Sequence, residues 1–285
     1  MSAVTLSTEG LPSQAEVMAQ ASRENFPVAS VLLGPRRRHL LAIYGYARLV
    51  DDVGDEVPAH RVELLAHLNE ELDAIYEDRQ PEHPVMTTLA DTIRACRLPP
   101  APFKRLIEAN RRDQSITRYE TFGELLDYCQ LSAAPVGELV LDVFDAATPK
   151  RIALSDRICA ALQVIEHLQD IGEDYAQGRI YLPLADLERH GVSEAELGAD
   201  EASPRLRQLV AFEVQRTRDL LGSGASLIRT LSGRRSLAAA AFVAGGRAGL
   251  HSLERADFDV LGSAVRATSV QRAAQLVAVL VGRGR

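Results

Sequence analysis

Two acidic clusters stand far apart in the chain and share one layout. The first reads Asp51-Asp52-Val53-Gly54-Asp55-Glu56, the second Asp170-Ile171-Gly172-Glu173-Asp174. Each puts aspartates at i and i+4 in a stretch with helical spacing, so both carboxylates project from one face. Like charges repel at that spacing. Both clusters also fall near the C-terminal ends of their predicted helices, where the helix dipole disfavours negative charge. One such cluster is an ordinary solvated face; two that break the same two rules point to a cation. Paired carboxylates suit Mg²⁺, a hard ion that takes oxygen ligands and shares them with substrate phosphates. On the first helix Tyr44, Arg48, Asp51 and Asp55 fall on one face, and on the second Glu166, Asp170 and Asp174 do. Arg48 has two readings. Its planar fork can grip a diphosphate oxygen, or it can form a salt bridge with Asp51 or Asp52; taken alone, the spacing favours the salt bridge. His167 has no partner at the spacing of a zinc site and reads as a polar packing residue.

These residues must be held by helices. Strand signals are missing, and apolar spacing is helical nearly throughout. Pro35 opens a helix that runs to the first acidic cluster. Further helices are expected near 61–78, 84–97, 101–118, 121–132 and 135–145, punctuated by Pro81, Pro84, Pro99, Pro100 and Pro135. A long helix is expected from Pro149 to Tyr175, ending on the second cluster. The run Gly178-Arg179-Ile180-Tyr181-Leu182-Pro183 breaks the pattern. Helices resume near 184–190, 203–231, 234–255 and 266–282, with a polar loop at 191–202. Residues 1–12 read as disordered, and 13–285 as one all-α domain with its site between halves of a bundle.

Composition narrows the functions. The 285 residues are 46% hydrophobic, enough for a large core, and the net charge of −7 with no long basic run argues against nucleic acid. Arg36-Arg37-Arg38 reads as a solvated helix face. Cys96, Cys129 and Cys159 show no metal spacing and fit a reducing cytoplasm. No signal peptide is seen, and no apolar stretch approaches the ~18 residues that span a bilayer. Zinc-protease, nucleophile-elbow and phosphate-loop motifs are missing. Ala244-Gly245-Gly246-Arg247-Ala248-Gly249 approaches a dinucleotide fingerprint but follows no strand. Small residues for close helix packing are the better reading, so nothing argues for NADPH.

Several segments in order resemble the squalene/phytoene synthase family. They are Asn25-Phe26-Pro27-Val28-Ala29-Ser30; Ala42-Ile43-Tyr44-Gly45-Tyr46-Ala47-Arg48 with the first cluster; Tyr128-Cys129 with Ser132-Ala133-Ala134-Pro135-Val136-Gly137; and Gln169-Asp170-Ile171-Gly172-Glu173-Asp174 with Gly178 to Pro183. The resemblance spans roughly residues 20–255. It implies the all-α isoprenoid synthase fold, a helical bundle around a central cavity, with the two aspartate motifs facing across its mouth. Condensing members usually carry Val-Ala-Gly-x-Val-Gly after the Tyr-Cys pair and Asn-x-x-Arg-Asp at the second motif. Here Glu166 stands where Asn is usual and Gln169 where Arg is usual. These departures resemble the bacterial hydroxysqualene synthase branch of hopanoid-type squalene synthesis.

That branch implies a substrate, presqualene diphosphate, made by a sister synthase. It also implies a product, hydroxysqualene, reduced by a flavin-dependent dehydroxylase. Mg²⁺ on Asp51, Asp55, Glu166, Asp170 and Asp174 would clamp the diphosphate, with Arg48 and Arg179 adding positive charge. Phe26, Tyr44 and Tyr128 would face the carbocation, Gln169 would line the diphosphate site, and Tyr128 could hold the quenching water. The expected location is the cytoplasm, with transient contact at a membrane surface. Two alternatives stay open: a condensing synthase joining two prenyl diphosphates, and a helical scaffold that binds cations without catalysis.

Overall fold

The computed structural model describes residues 10–19, 31–262 and 265–282. Fourteen α-helices are found among them: α1 (Gln14–Ala19), α2 (Arg37–Asp55), α3 (Arg61–Tyr76), α4 (Pro84–Cys96), α5 (Pro100–Asp113), α6 (Phe122–Ser132), α7 (Ala134–Val143), α8 (Pro149–Gln169), α9 (Ile171–Ala176), α10 (Leu184–His190), α11 (Pro204–Gly224), α12 (Leu227–Thr230), α13 (Gly233–Arg255) and α14 (Ser269–Gly282). No strand occurs among the described residues, only one parallel bridge between Arg118 and Ile180.

The helices start where the chemistry favours it. Pro84, Pro100, Pro149 and Pro204 open their helices, where a missing N–H costs nothing. Thr121, Thr148 and Ser203 cap α6, α8 and α11 by accepting from backbone amides. The polar loop at 191–202 contains a short 3₁₀ turn, Glu194–Gly198, closed by a Ser193/Glu196 capping box.

Four expected boundaries shift. Pro35 lies in a 3₁₀ turn, Val31–Arg36, and α2 begins at Arg37 because Gly34 is non-helical. The helix after Pro100 stops at Asp113, since Thr117 and Tyr119 use their carbonyls to accept from the amides of Ile180 and Leu184. The helix expected over 203–231 ends at Gly224, on a Gly-Ser-Gly run. That glycine passes so close to α8 that a Cβ would lie 2.8 Å from the Leu154 carbonyl oxygen. The last helix starts at Ser269, where Thr268 and Gln271 cap each other reciprocally.

The chain forms two compact units. The first gathers described residues 10–19, 31–115 and 135–147; the second gathers 116–134, 148–262 and 265–282. In the first, α2 packs on α3, α4 and α5. Tyr46 donates from its hydroxyl to the Phe103 carbonyl (2.9 Å), and the two rings meet edge to face at 5.1 Å. Leu49, Leu65, Leu68, Leu72, Met86 and Leu89 complete this core; each such full burial contributes about 1.5–3 kcal/mol. In the second unit α8 lies against α6, α11 and α13. The small-residue run on α13 does pack helices closely: a Cβ on Gly246 would sit 2.8 Å from Leu221 and 2.9 Å from Leu162, and one on Gly249 2.8 Å from Ile165.

Candidate active site

The first acidic motif closes α2. Leu40, Ile43, Leu49, Val50 and Val53 bury one face of this helix. Tyr44 and Arg48, both half-buried, lead to the exposed Asp51 and Asp55 on another. Gly54 lets α5 come close, for a Cβ there would meet the Asn110 side-chain oxygen at 2.0 Å. Asn110 donates from Nδ2 to Asp51 Oδ1 (2.9 Å), and Gln114 donates to the Gly54 carbonyl (3.1 Å). Asp51 keeps accessible surface, yet the surrounding protein desolvates its carboxyl and pushes it up to about 7. Asp55 and Asp52 add repulsion, while the Asn110 hydrogen bond and Arg48 oppose the rise. Asp52 is buried and pushed up to about 6, again chiefly by desolvation. Arg48 takes the salt-bridge reading: it pairs with Asp52 (2.6 Å) and Glu56 (2.7 Å) on its own helical stretch.

The second motif straddles a break. The single helix expected to Tyr175 is two, because Asp170 leaves helical geometry (φ −111°, ψ 14°) between α8 and α9. The acidic stripe survives. The Asp170 amide still donates to the Glu166 carbonyl (3.0 Å), and the Asp174 amide to the Asp170 carbonyl (2.8 Å). Arg266 spans the break, donating to Asp170 Oδ1 (2.6 Å) and to Gln169 Oε1 (3.2 Å). Gln169 is buried, and its amide lies 3.4 Å from the Ser252 hydroxyl on α13. Burial raises the Asp170 carboxyl, and Arg266 opposes that rise. Glu166 and Gln169, with Gly245, Gly246, Gly249 and Ala267, line a small solvent-open recess of about 20 Å³.

Beside this motif stands an aromatic cluster. His167 stacks on Tyr181 (centroids 3.7 Å apart, 15° between planes), as its packing reading expects, and its Nδ1 lies 3.8 Å from Asp174. Tyr181 in turn lies 5.7 Å from Tyr128 and 5.8 Å from Tyr119. Tyr128 is buried. Arg179 donates to Gln177 (2.7 Å), and its amide donates to the Asp174 carbonyl (2.8 Å). Phe26 and its motif, 25–30, lie outside the described residues.

Sequence reasoning missed Asn110, Gln114, Tyr119 and Arg266. Tyr181 belongs to the Gly178 to Pro183 run, where spacing alone does not mark its ring. Among the described residues no three His, Cys, Asp or Glu side chains converge as a ready metal cluster. The donors nevertheless fit Mg²⁺. Asp51 and Asp170 are desolvated and repelled by neighbouring carboxylates, and this ion is commonly held by one or two carboxylates with substrate phosphates and water completing its shell.

The family model for squalene/phytoene synthase matches residues 18–273. The chain belongs to the squalene/phytoene synthase family. Among relatives of this family, the hydroxysqualene synthase of Zymomonas mobilis is 41% identical over 202 residues, 70% of this chain and 67% of that protein. The hydroxysqualene synthase of Rhodopseudomonas palustris is 38% identical, over 72% of this chain and 70% of its own. The phytoene synthase of Mycobacterium tuberculosis is 33% identical, over 81% and 77%. In structure the chain resembles squalene synthase HpnC from Alicyclobacillus acidocaldarius, with a TM-score of 0.78 and 39% identity over 85% of this chain and 92% of that one. The all-α isoprenoid synthase fold is therefore the fold of this chain.

Proposed function

We propose that the protein is a hydroxysqualene synthase, acting as a carbon–oxygen lyase on presqualene diphosphate. The carrying observation is its higher identity to hydroxysqualene synthases than to phytoene synthases. The C–O bond to diphosphate breaks, and the electron pair leaves with the diphosphate. The cyclopropyl cation rearranges, water adds its oxygen, and one proton is lost. Asp51 and Asp55 would hold Mg²⁺ at the first motif, and Glu166, Asp170 and Asp174 would do so at the second. When bound, the ion neutralises diphosphate charge and favours its departure. Asn110 orients Asp51 for this role. Tyr128, Tyr181 and Tyr119 offer π faces to a cation, each worth about 1–2 kcal/mol when desolvated. The Tyr128 hydroxyl can position the quenching water. Phe26, Tyr44 and Arg179 contact substrate, and Arg48, held by Asp52 and Glu56, keeps a positive charge on the first motif. A sister synthase supplies the substrate, and a flavin-dependent dehydroxylase consumes the product.

One observation favours the condensing alternative. Arg266 places a guanidinium against Gln169, where the condensing pattern has its arginine. Charge count at position 169 alone therefore does not separate the two readings, and the assay must. Farnesyl diphosphate and presqualene diphosphate are supplied singly, with and without Mg²⁺ and NADPH, and products are identified by mass spectrometry. Hydroxysqualene from presqualene diphosphate, needing Mg²⁺ and not NADPH, is expected. Efficient coupling of farnesyl diphosphate would move the protein to the condensing branch, and NADPH-dependent squalene would reject water capture.

A further inference from the structure

We propose that Arg216 is a positioning residue: it anchors the two segments that carry Tyr119 and Tyr181, and so sets where the aromatic cluster points. The importance of this anchor rests on the proposed reaction, in which those rings face a carbocation. Residues 117–120 and 180–185 run side by side. The amides of Ile180, Leu184 and Ala185 donate to the carbonyls of Thr117 (2.9 Å), Tyr119 (2.9 Å) and Glu120 (3.1 Å). The first segment leads into α6 and the second into α10. Each contributes a buried tyrosine. The Tyr119 and Tyr181 rings stack 5.8 Å apart and meet the Tyr128 ring at 5.3 Å and 5.7 Å. So short a ladder needs anchors at its ends. At one end Arg118 donates to the Gly178 carbonyl (2.7 Å). At the other stands Arg216, from α11.

Arg216 grips both segments at once. Its Nη2 donates to Asp186 Oδ2 (2.8 Å) in the first turn of α10. Its guanidinium carbon lies 3.7 Å from the centroid of Phe122, the residue that opens α6. A planar guanidinium can do both, with its edge to a carboxylate and its face on a ring. Glu213, one turn back on α11 and 1% exposed, aims the fork by accepting from Nε (3.2 Å) and Nη2 (2.5 Å). Burial lifts the Glu213 carboxyl to about 7; Arg216 opposes that rise and the Asp186 carboxyl adds to it. Stability alone does not call for such a cluster, because buried charges lose their hydration and neutral side chains of similar volume commonly serve as well. What the cluster supplies is direction: two carboxyls and one ring are met together in a single guanidinium orientation. The proposed reaction uses that direction. The cation must stay covered until it has rearranged, and a displaced ring would expose it to early capture by water.

The double variant R216M/E213Q separates positioning from folding, since it removes the guanidinium without leaving Glu213 as a bare buried charge. Its melting temperature should match or exceed that of wild type. With presqualene diphosphate, kcat should fall by about tenfold or more with KM little changed. Part of the product should become alcohols that keep the cyclopropane ring, formed by water captured before rearrangement. R216K keeps the charge and loses the fork, so it should show a smaller shift in the same direction. Without substrate, the amides of Ile180, Leu184 and Ala185 should exchange with deuterium at least about tenfold faster in R216M/E213Q, while those of α13 keep their rates. Wild-type kcat and product ratio in the double variant would overturn the proposal. So would a lowered melting temperature with exchange accelerated throughout the chain, which would make the cluster merely structural. A wild-type protein that makes no hydroxysqualene would refute the proposed reaction instead. Exchange would then decide the anchoring, and unchanged rates at the three amides would overturn it.

Discussion

Asp51 concentrates the conflict at the residue scale. Its carboxyl is held up to about 7 against an ordinary 3.8, so the folded chain binds this proton more tightly than the unfolded chain does. In the metal-free protein, stability from this group is fully present below pH 4 and is lost as pH rises towards 7. Asp51→Asn keeps the oxygen that accepts from Asn110 and removes the repulsion with Asp55 and Asp52. The variant should melt above wild type at pH 8 in the absence of metal, with the gap closing at pH 4, while turnover is abolished. A variant that melts below wild type at pH 8 would assign Asp51 a structural role; one with near-normal turnover would remove it from catalysis. Little of this wiring was legible in advance. The i, i+4 carboxylates are local and can be read from spacing. Asn110 reaches Asp51 from 59 residues away, and Arg266 reaches Asp170 from 96, through contacts that only the packed chain defines.

Helices carry most of what could be read at the next scale. Proline openings and Ser/Thr caps are chemistry within four residues, and the elements they start lie within a few residues of expectation. The break at Asp170 escaped because its i→i+4 hydrogen bonds persist on both sides, leaving the pattern helical while the backbone departs. The end of α5 escaped because a distant segment claims the Thr117 and Tyr119 carbonyls. The α13 seam was legible as small residues, and its tightness gives a firm expectation. Gly246→Ala pushes a methyl to within 3 Å of Leu221 and Leu162, and such overpacking costs about 1–3 kcal/mol. Chemical denaturation should show that loss, and Leu221→Ala in the same chain should recover part of what the two single losses would sum to. Strict additivity would mean that the seam has room to relax.

Across the whole molecule, ligand binding should register as stability. Magnesium with inorganic diphosphate, each near a hundredfold over its dissociation constant, should raise the melting temperature by roughly 5–10 °C, and more than either alone. The same shift with magnesium alone as with magnesium and diphosphate together would favour a cation-binding scaffold. The apportioning of the chain between the two compact units carries a different consequence, one for synthesis. The first unit is not complete at residue 115: it waits for α7, whose Glu138 pairs with Arg105 and whose following turn supplies Asp145 to Arg36. The intervening segment, 116–134, belongs to the other unit. At ribosomal rates of about 5–20 residues per second, the nascent α2–α5 bundle stands open for roughly 2–6 seconds until residue 147 has emerged. During that interval Arg105 and Arg36 lack their partners Glu138 and Asp145, and the incomplete unit is open to chaperones and to neighbouring chains. Slow codons placed between 116 and 147 should therefore lower the soluble yield more than the same codons placed after α8.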